Sequence, residues 1–344
     1  MSPQDPRTNA NLAYAVSRVH AACCLGGSPS YIQDLREGLN ERGIVQAVKH
    51  HDTATLFDWL IEIFSLQGIS DAVAIGYIAQ HGNIGYDAIA DALSQAPSCP
   101  RLEGYWRFYD CQYAKATDSC SEPSHIDACP LPCHSLRNGR LNQTAYSLFL
   151  FMRDVAEGDF VGWIDQQLAS VDARSPNRLN ELCAAIVEPL SNVYGLAEKV
   201  LAIGLSPLLM ASGKRKPSWF AVGTSLIAVD TLVHNFLHRT GILGRFSADH
   251  PYGDRCYGPL GCASILRLIA THIDARKFNP SFPAIFPRFL QHAIWRYCAE
   301  SGFNICNGNR IADEARCEYA HCQLFRQCDR VTLRGNRPKI TQNQ

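Results

Sequence analysis

The chain has 344 residues, 47% of them hydrophobic and 19% charged, with 32 basic and 32 acidic residues and a formal net charge of zero. That length suits one large or two medium domains with real cores. Zero net charge argues against a protein that coats nucleic acid non-specifically, though it allows a local basic patch, and no apolar run reaches the length of a membrane span.

The start, MSPQDPRTNANLAYAV, lacks a basic region followed by an apolar core, so the expected location is cytoplasmic. Thiols stay reduced there, so the 15 cysteines point to metal ligation rather than disulfides. Residues 57–66 (FDWLIEIFSL) form a dense apolar segment between polar ones. Residues 96–141 break the helical pattern and are rich in Pro, Cys and Ser. They carry Cys99, Cys111, Cys120, Cys129 and Cys133 with His125 and His134. One reading is a zinc-stapled insertion using Cys111, Cys120, Cys129 and Cys133; the other is an irregular insertion with free thiols. Its aromatic residues Tyr105, Trp106, Phe108 and Tyr109 suit either a base-stacking edge or a small core.

Helical periodicity resumes over 142–156, where Ala145, Leu148, Phe149, Met152, Val155 and Ala156 share a face. Residues 213–218 (GKRKPS) form a basic turn. Residues 231–240 predict a helix with Leu232, Val233, Phe236 and Leu237 inward, and Asp230 before it as its N-cap. His234 and His238 share a face one turn apart, but no third metal ligand is evident near them. The loop 247–262 (SADHPYGDRCYGPLGC) reads as either a substrate-reading loop or a packed turn. A helix follows over 287–299, with Phe289, Leu290, Ala293, Ile294, Tyr297 and Cys298 on one face. Alternating strand patterns are scarce, so the expected fold class is all-α.

The polar C-terminal segment holds Cys306, Cys317, Cys322 and Cys328, spaced C-x10-C-x4-C-x5-C. Four thiolates suit an iron–sulfur cluster or a structural zinc; without a CxxC knuckle, the unequal spacing favours the cluster.

Asp230 before its helix, the Arg239-Thr240-Gly241 exit and the downstream cysteine quartet together resemble the helix-hairpin-helix DNA glycosylases of the endonuclease III superfamily. That family's [4Fe-4S] cluster loop, spaced roughly C-x6-C-x2-C-x5-C, shares the final interval. The segment 57–73 resembles the family's first core helix and following turn, with Gln67 at the matching DNA-proximal place. The best hairpin counterpart is Val193 to Lys199, where Gly195 and Lys199 keep the four-residue spacing but the Pro and second Gly are absent. A second register places the hairpin at 212–216, with Lys214 or Lys216 near the site; the apolar helix after Lys199 favours the first.

The resemblance implies a two-lobed helix-hairpin-helix glycosylase fold with an iron–sulfur loop. The expected parts are N-terminal helices over 1–54 packing on the cluster lobe, a helical barrel over 55–235 carrying the hairpin, and C-terminal helices with the cluster over 236–344. It implies a monomeric base-excision enzyme on double-stranded DNA, acting on an extruded base. Asp230 would be catalytic and Lys199 the amine of a bifunctional member. Gln67, Gly195, Lys214, Lys216 and Arg239 would contact DNA, and the cysteine quartet would hold a [4Fe-4S] cluster. The alternatives are a catalytically inactive DNA-binding relative and an iron–sulfur protein with no nucleic-acid partner.

Overall fold

The computed structural model describes residues 6–65, 71–81, 85–94, 99–108, 111, 113–114, 119–120, 140–307 and 311–334. The architecture is all-α, apart from a two-residue antiparallel pairing of Tyr113–Ala114 with Ser119–Cys120. Two compact units divide the chain: residues 1–31 with 224–344, and residues 32–223. Among the described residues, no helix is long and apolar enough to cross a membrane.

The first unit contains α1 (Pro6–Gly26), and the second opens with α2 (Tyr31–Glu41), α3 (Ile44–His50), α4 (Thr53–Ser65), α5 (Asp71–His81) and α6 (Tyr86–Ser94). It continues with α7 (Arg140–Leu150), α8 (Phe160–Ala169), α9 (Arg178–Leu190), α10 (Glu198–Ala211) and α11 (Pro217–Ser225), the last straddling the boundary. In α4, Phe57, Trp59, Leu60, Ile61 and Phe64 are buried, as the dense apolar run requires. Gly204 of α10 lies against the Leu60 and Phe64 side chains, so the absence of a Cβ lets the two helices approach.

The predicted helix over 142–156 is interrupted. α7 ends at Leu150 and the chain widens into a π turn over Phe151–Val155, closed by Ala156 N–H donating to Phe151 O at 3.0 Å. Phe151 and Met152 are both buried in that turn. Arg153 and Asp154 pair beside them at 2.6 Å, and Val155 is left exposed.

The first unit is completed by α12 (Thr231–Arg239), α13 (Ile242–Arg245), α14 (Cys262–Ala270) and α15 (Pro287–Cys298). α15 is central: it packs on α1, α12 and α14. Gly26 meets the Ala293 carbonyl, so any side chain there would separate α1 from α15. Phe289, Leu290, Ala293, Ile294, Tyr297 and Cys298 are all buried on α15.

α12 is enclosed beyond its apolar face. Val233, Phe236 and Leu237 are buried, and so are His234 and Arg239. The face that amphipathicity would leave to water is covered by the 247–262 loop and the C-terminal segment: His238 Nε2–H donates to Thr332 O at 3.0 Å, and Val331 N–H donates to Arg239 O at 2.9 Å.

Candidate metal centres around the Asp230 helix

The buried segment Leu226–Val229 leads into Asp230, whose extended backbone stops the helix from beginning earlier. Asp230 Oδ1 accepts the Val233 N–H at 2.8 Å, which satisfies an orphan donor of the first turn of α12. The residue is half-buried. Burial, and then the nearby Asp230 charge, raise the Tyr252 phenol above its ordinary range. The Tyr257 hydroxyl accepts the Val229 N–H at 2.8 Å, so the 247–262 loop holds the residue just before Asp230.

Two clusters of metal-ligating side chains flank α12. At its C-terminal end, Cys306, Cys317, Cys322 and Cys328 line one small cavity, part of it open to solvent. Phe236, Tyr297, Ile305, Leu324 and Phe325 make its wall apolar, and Arg239 and Arg330 complete it. The Tyr297 hydroxyl lies 3.1 Å from Cys322 Sγ, and Cys328 Sγ lies 3.5 Å from Arg239 O. Burial raises the Cys322 thiol and pushes Cys328 up to about 11. A hydrogen bond from Cys298, aided by the Arg239 charge, lowers Cys306 against its burial.

On the flank of α12, four buried side chains converge: His234, His250, Cys256 and Cys262, with all their ligand atoms within 4.8 Å of one another. His234 Nδ1 lies 3.4 Å from Cys262 Sγ and 3.5 Å from Cys256 Sγ, and His250 Nε2 lies 3.6 Å from Cys262 Sγ. The hydrogen bond from Cys262, reinforced by His234 and His250, favours the thiolate at Cys256, and the same coupling disfavours it at Cys262. This group could hold a metal ion.

The cysteine quartet is legible from spacing, whereas this second group is not. Periodicity pairs His234 with His238, which instead donates to Thr332 O and lies 3.7 Å from Asp249 Oδ1. The available signal was His250-x5-Cys256-x5-Cys262 in a Gly-rich loop following a helix that carries a histidine.

Other expected site residues are divided between the two units. Lys199 and Gly195 lie in the second unit, whereas Asp230 lies in the first. Gly195 is exposed with φ of 80° in the turn between α9 and α10, and Tyr194 N–H there donates to Ser147 Oγ at 3.0 Å. Lys199 is half-exposed on the first turn of α10. Lys216, expected on DNA, places its ammonium 2.6 Å from Asp165 Oδ2 and 4.3 Å from the Trp219 ring centroid. Lys214 lies in a short 3-10 turn, Gly213–Arg215.

Arg239 is almost wholly enclosed. Expected at a DNA phosphate, it is 2% exposed; its guanidinium donates to Ile311 O at 3.1 Å and lies 3.6 Å from Asp313 Oδ1. A guanidinium enclosed in this way braces the C-terminal loop. Gln67, Cys129, Cys133, His125 and His134 lie outside the described residues, as does the Cys120 side chain, so the zinc reading of the 99–134 segment falls largely there.

No family model, no curated protein and no solved structure matches this chain.

Proposed function

We propose that the chain is a DNA N-glycosylase of the helix-hairpin-helix type that cleaves the glycosidic bond of an extruded base at Asp230. One relationship carries this reading: a half-buried Asp caps α12, and the far end of that same helix walls a cavity lined by four cysteines. The grouping of residues 1–31 with 224–344 in one unit also supports it, since the resembling family joins its N-terminal helices to its cluster lobe.

The residues around the cavity fit a [4Fe-4S] cluster. Arg239 Nε, Arg239 Nη1 and Arg330 Nε are buried without a hydrogen-bond partner, and both residues line the cavity. Buried N–H donors of this kind call for an acceptor, and cluster sulfurs are suitable ones. A cluster there supplies a buried anionic staple for the C-terminal loop, with redox capacity.

The chemistry falls to the protein's own groups. Loss of the base develops positive charge on the sugar, and a carboxylate beside C1′ stabilises that charge and orients a nucleophile. Asp230 is suited to this because its cap fixes its position while the residue stays partly open. Lys199 is the candidate amine for strand cleavage through a Schiff base. The left-handed Gly195 and the first-turn amides of α10 are candidates for phosphate binding.

Incubation with lesion-bearing duplexes tests this, with alkali used to reveal abasic sites. Alkali-sensitive sites with the wild type, and none with Asp230→Asn, are expected. Tight duplex binding with no base release from any lesion would favour the inactive DNA-binding relative.

A further inference from the structure

We propose that His234, His250, Cys256 and Cys262 bind one zinc ion in a closed tetrahedral site that staples the 250–262 loop to the helix behind Asp230.

The donor geometry is the first support. Zinc bonds of about 2.3 Å to sulfur and about 2.1 Å to nitrogen, at tetrahedral angles, separate neighbouring sulfur and nitrogen donors by about 3.6 Å. Three of the four nitrogen–sulfur separations here are 3.4, 3.5 and 3.6 Å. One nitrogen, His234 Nδ1, faces both thiols, as a ligand atom sharing an ion with them must.

Protonation agrees. His250 Nδ1 lies 2.6 Å from Ala248 O, and a carbonyl can only accept, so Nδ1 carries the proton. The Nε2 lone pair is thereby left facing Cys262. A backbone carbonyl orienting a histidine through its other nitrogen is the usual outer support of a zinc ligand.

The backbone is also shaped for this contact. Gly253 has φ of 150°, which side chains disfavour, and it opens the 3-10 turn that carries Cys256. A Cβ on Gly261 would collide with the Arg255 and Cys256 carbonyls. These two glycines let the chain fold back tightly enough to bring Cys256 and Cys262 onto one point.

Two thiolates and two imidazoles suit zinc better than the hard oxygen-seeking cations. Four protein donors leave no open position, so the role is structural. Its beneficiary is Asp230: His234 lies one turn along α12 from the cap, and Tyr257, next to Cys256, holds the Val229 amide. Zinc occupancy is independent of what the molecule does to DNA.

Metal analysis of the full-length protein purified from zinc-supplemented medium tests the site. About one equivalent of zinc is expected in the wild type, lost in Cys256→Ser and in His250→Ala, and retained in Cys322→Ser. Substitution of the wild type with cobalt(II) needs no variant to fold; tetrahedral d–d bands with thiolate charge transfer are expected. The proposal is overturned if the wild type takes up neither zinc nor tetrahedral cobalt, or if alkylation mapping finds Cys256 and Cys262 joined as a disulfide. It is also overturned if Cys322→Ser loses the zinc while Cys256→Ser keeps it.

Discussion

The Val229 amide donates to the Tyr257 hydroxyl at 2.8 Å, tying the loop that carries Cys256 to the residue before Asp230. A loop that reads in sequence as either a substrate-reading loop or a packed turn is thus part of the scaffold of the candidate catalytic carboxylate. Tyr257→Phe removes the acceptor and leaves a buried N–H behind, at a cost of about 1–3 kcal/mol. Urea unfolding should show that loss, with zinc content unchanged. Undiminished stability would mean that the Val229 amide finds another partner.

The observed cap by Asp230 is separable from its proposed catalytic role. Asn can still cap α12, whereas Ala cannot and should lose about 1 kcal/mol of stability. Base release should vanish in both variants, because the transition state needs the charge and not merely the cap. Normal turnover by Asp230→Asn on a true substrate would reduce Asp230 to a cap.

The cysteine cavity predicts colour. Anaerobically purified protein should be brown, absorb broadly near about 400 nm as thiolate-bound iron–sulfur clusters do, and contain iron. Cys322→Ser should bleach it and expose residues 311–334 to protease. Zinc in place of iron at this quartet would reject the cluster.

Arg239 offers a contrast between burial and DNA contact. A phosphate contact would contribute about one unit to the slope of log affinity against log salt. Its enclosure against Ile311 and Asp313 predicts that Arg239→Gln leaves that slope unchanged while lowering the thermal midpoint. A shallower slope with intact stability would restore the phosphate role.

Acid should weaken the first unit through His292. Burial, then the Arg288 and Arg296 charges, push it down to about 3 from its ordinary 6.5. The unfolded chain therefore binds a proton that the folded chain refuses between those values. Stability contributed by the neutral ring is present above about pH 6.5 and lost as pH falls towards about 3. His292→Gln should flatten the stability profile across that window, measured as urea midpoint against pH relative to wild type.

Local sequence determined the helices, the cap and the cysteine quartet. Each is a short-range property: apolar spacing along 231–240 and 287–299, an Asp before an apolar run, and thiols gathered in a polar tail. The interruption at Phe151–Val155 escaped it because an extra residue in one turn leaves the apolar content intact. Gln67 and most of the 99–134 segment stand outside the described residues, so their expectations are unchanged.

Only the tertiary structure decided the partners of the polar groups on α12. Periodicity shows which residues share a helix face, but it cannot show whether water or a returning loop covers that face. His234 therefore reads as the neighbour of His238, and Arg239 as a DNA contact. The chain instead folds back twice, laying His250, Cys256 and Cys262 against one turn and Ile311 to Asp313 against another. Side chains that balance their polarity against distant partners carry no local signature, because their desolvation is compensated by groups tens of residues away.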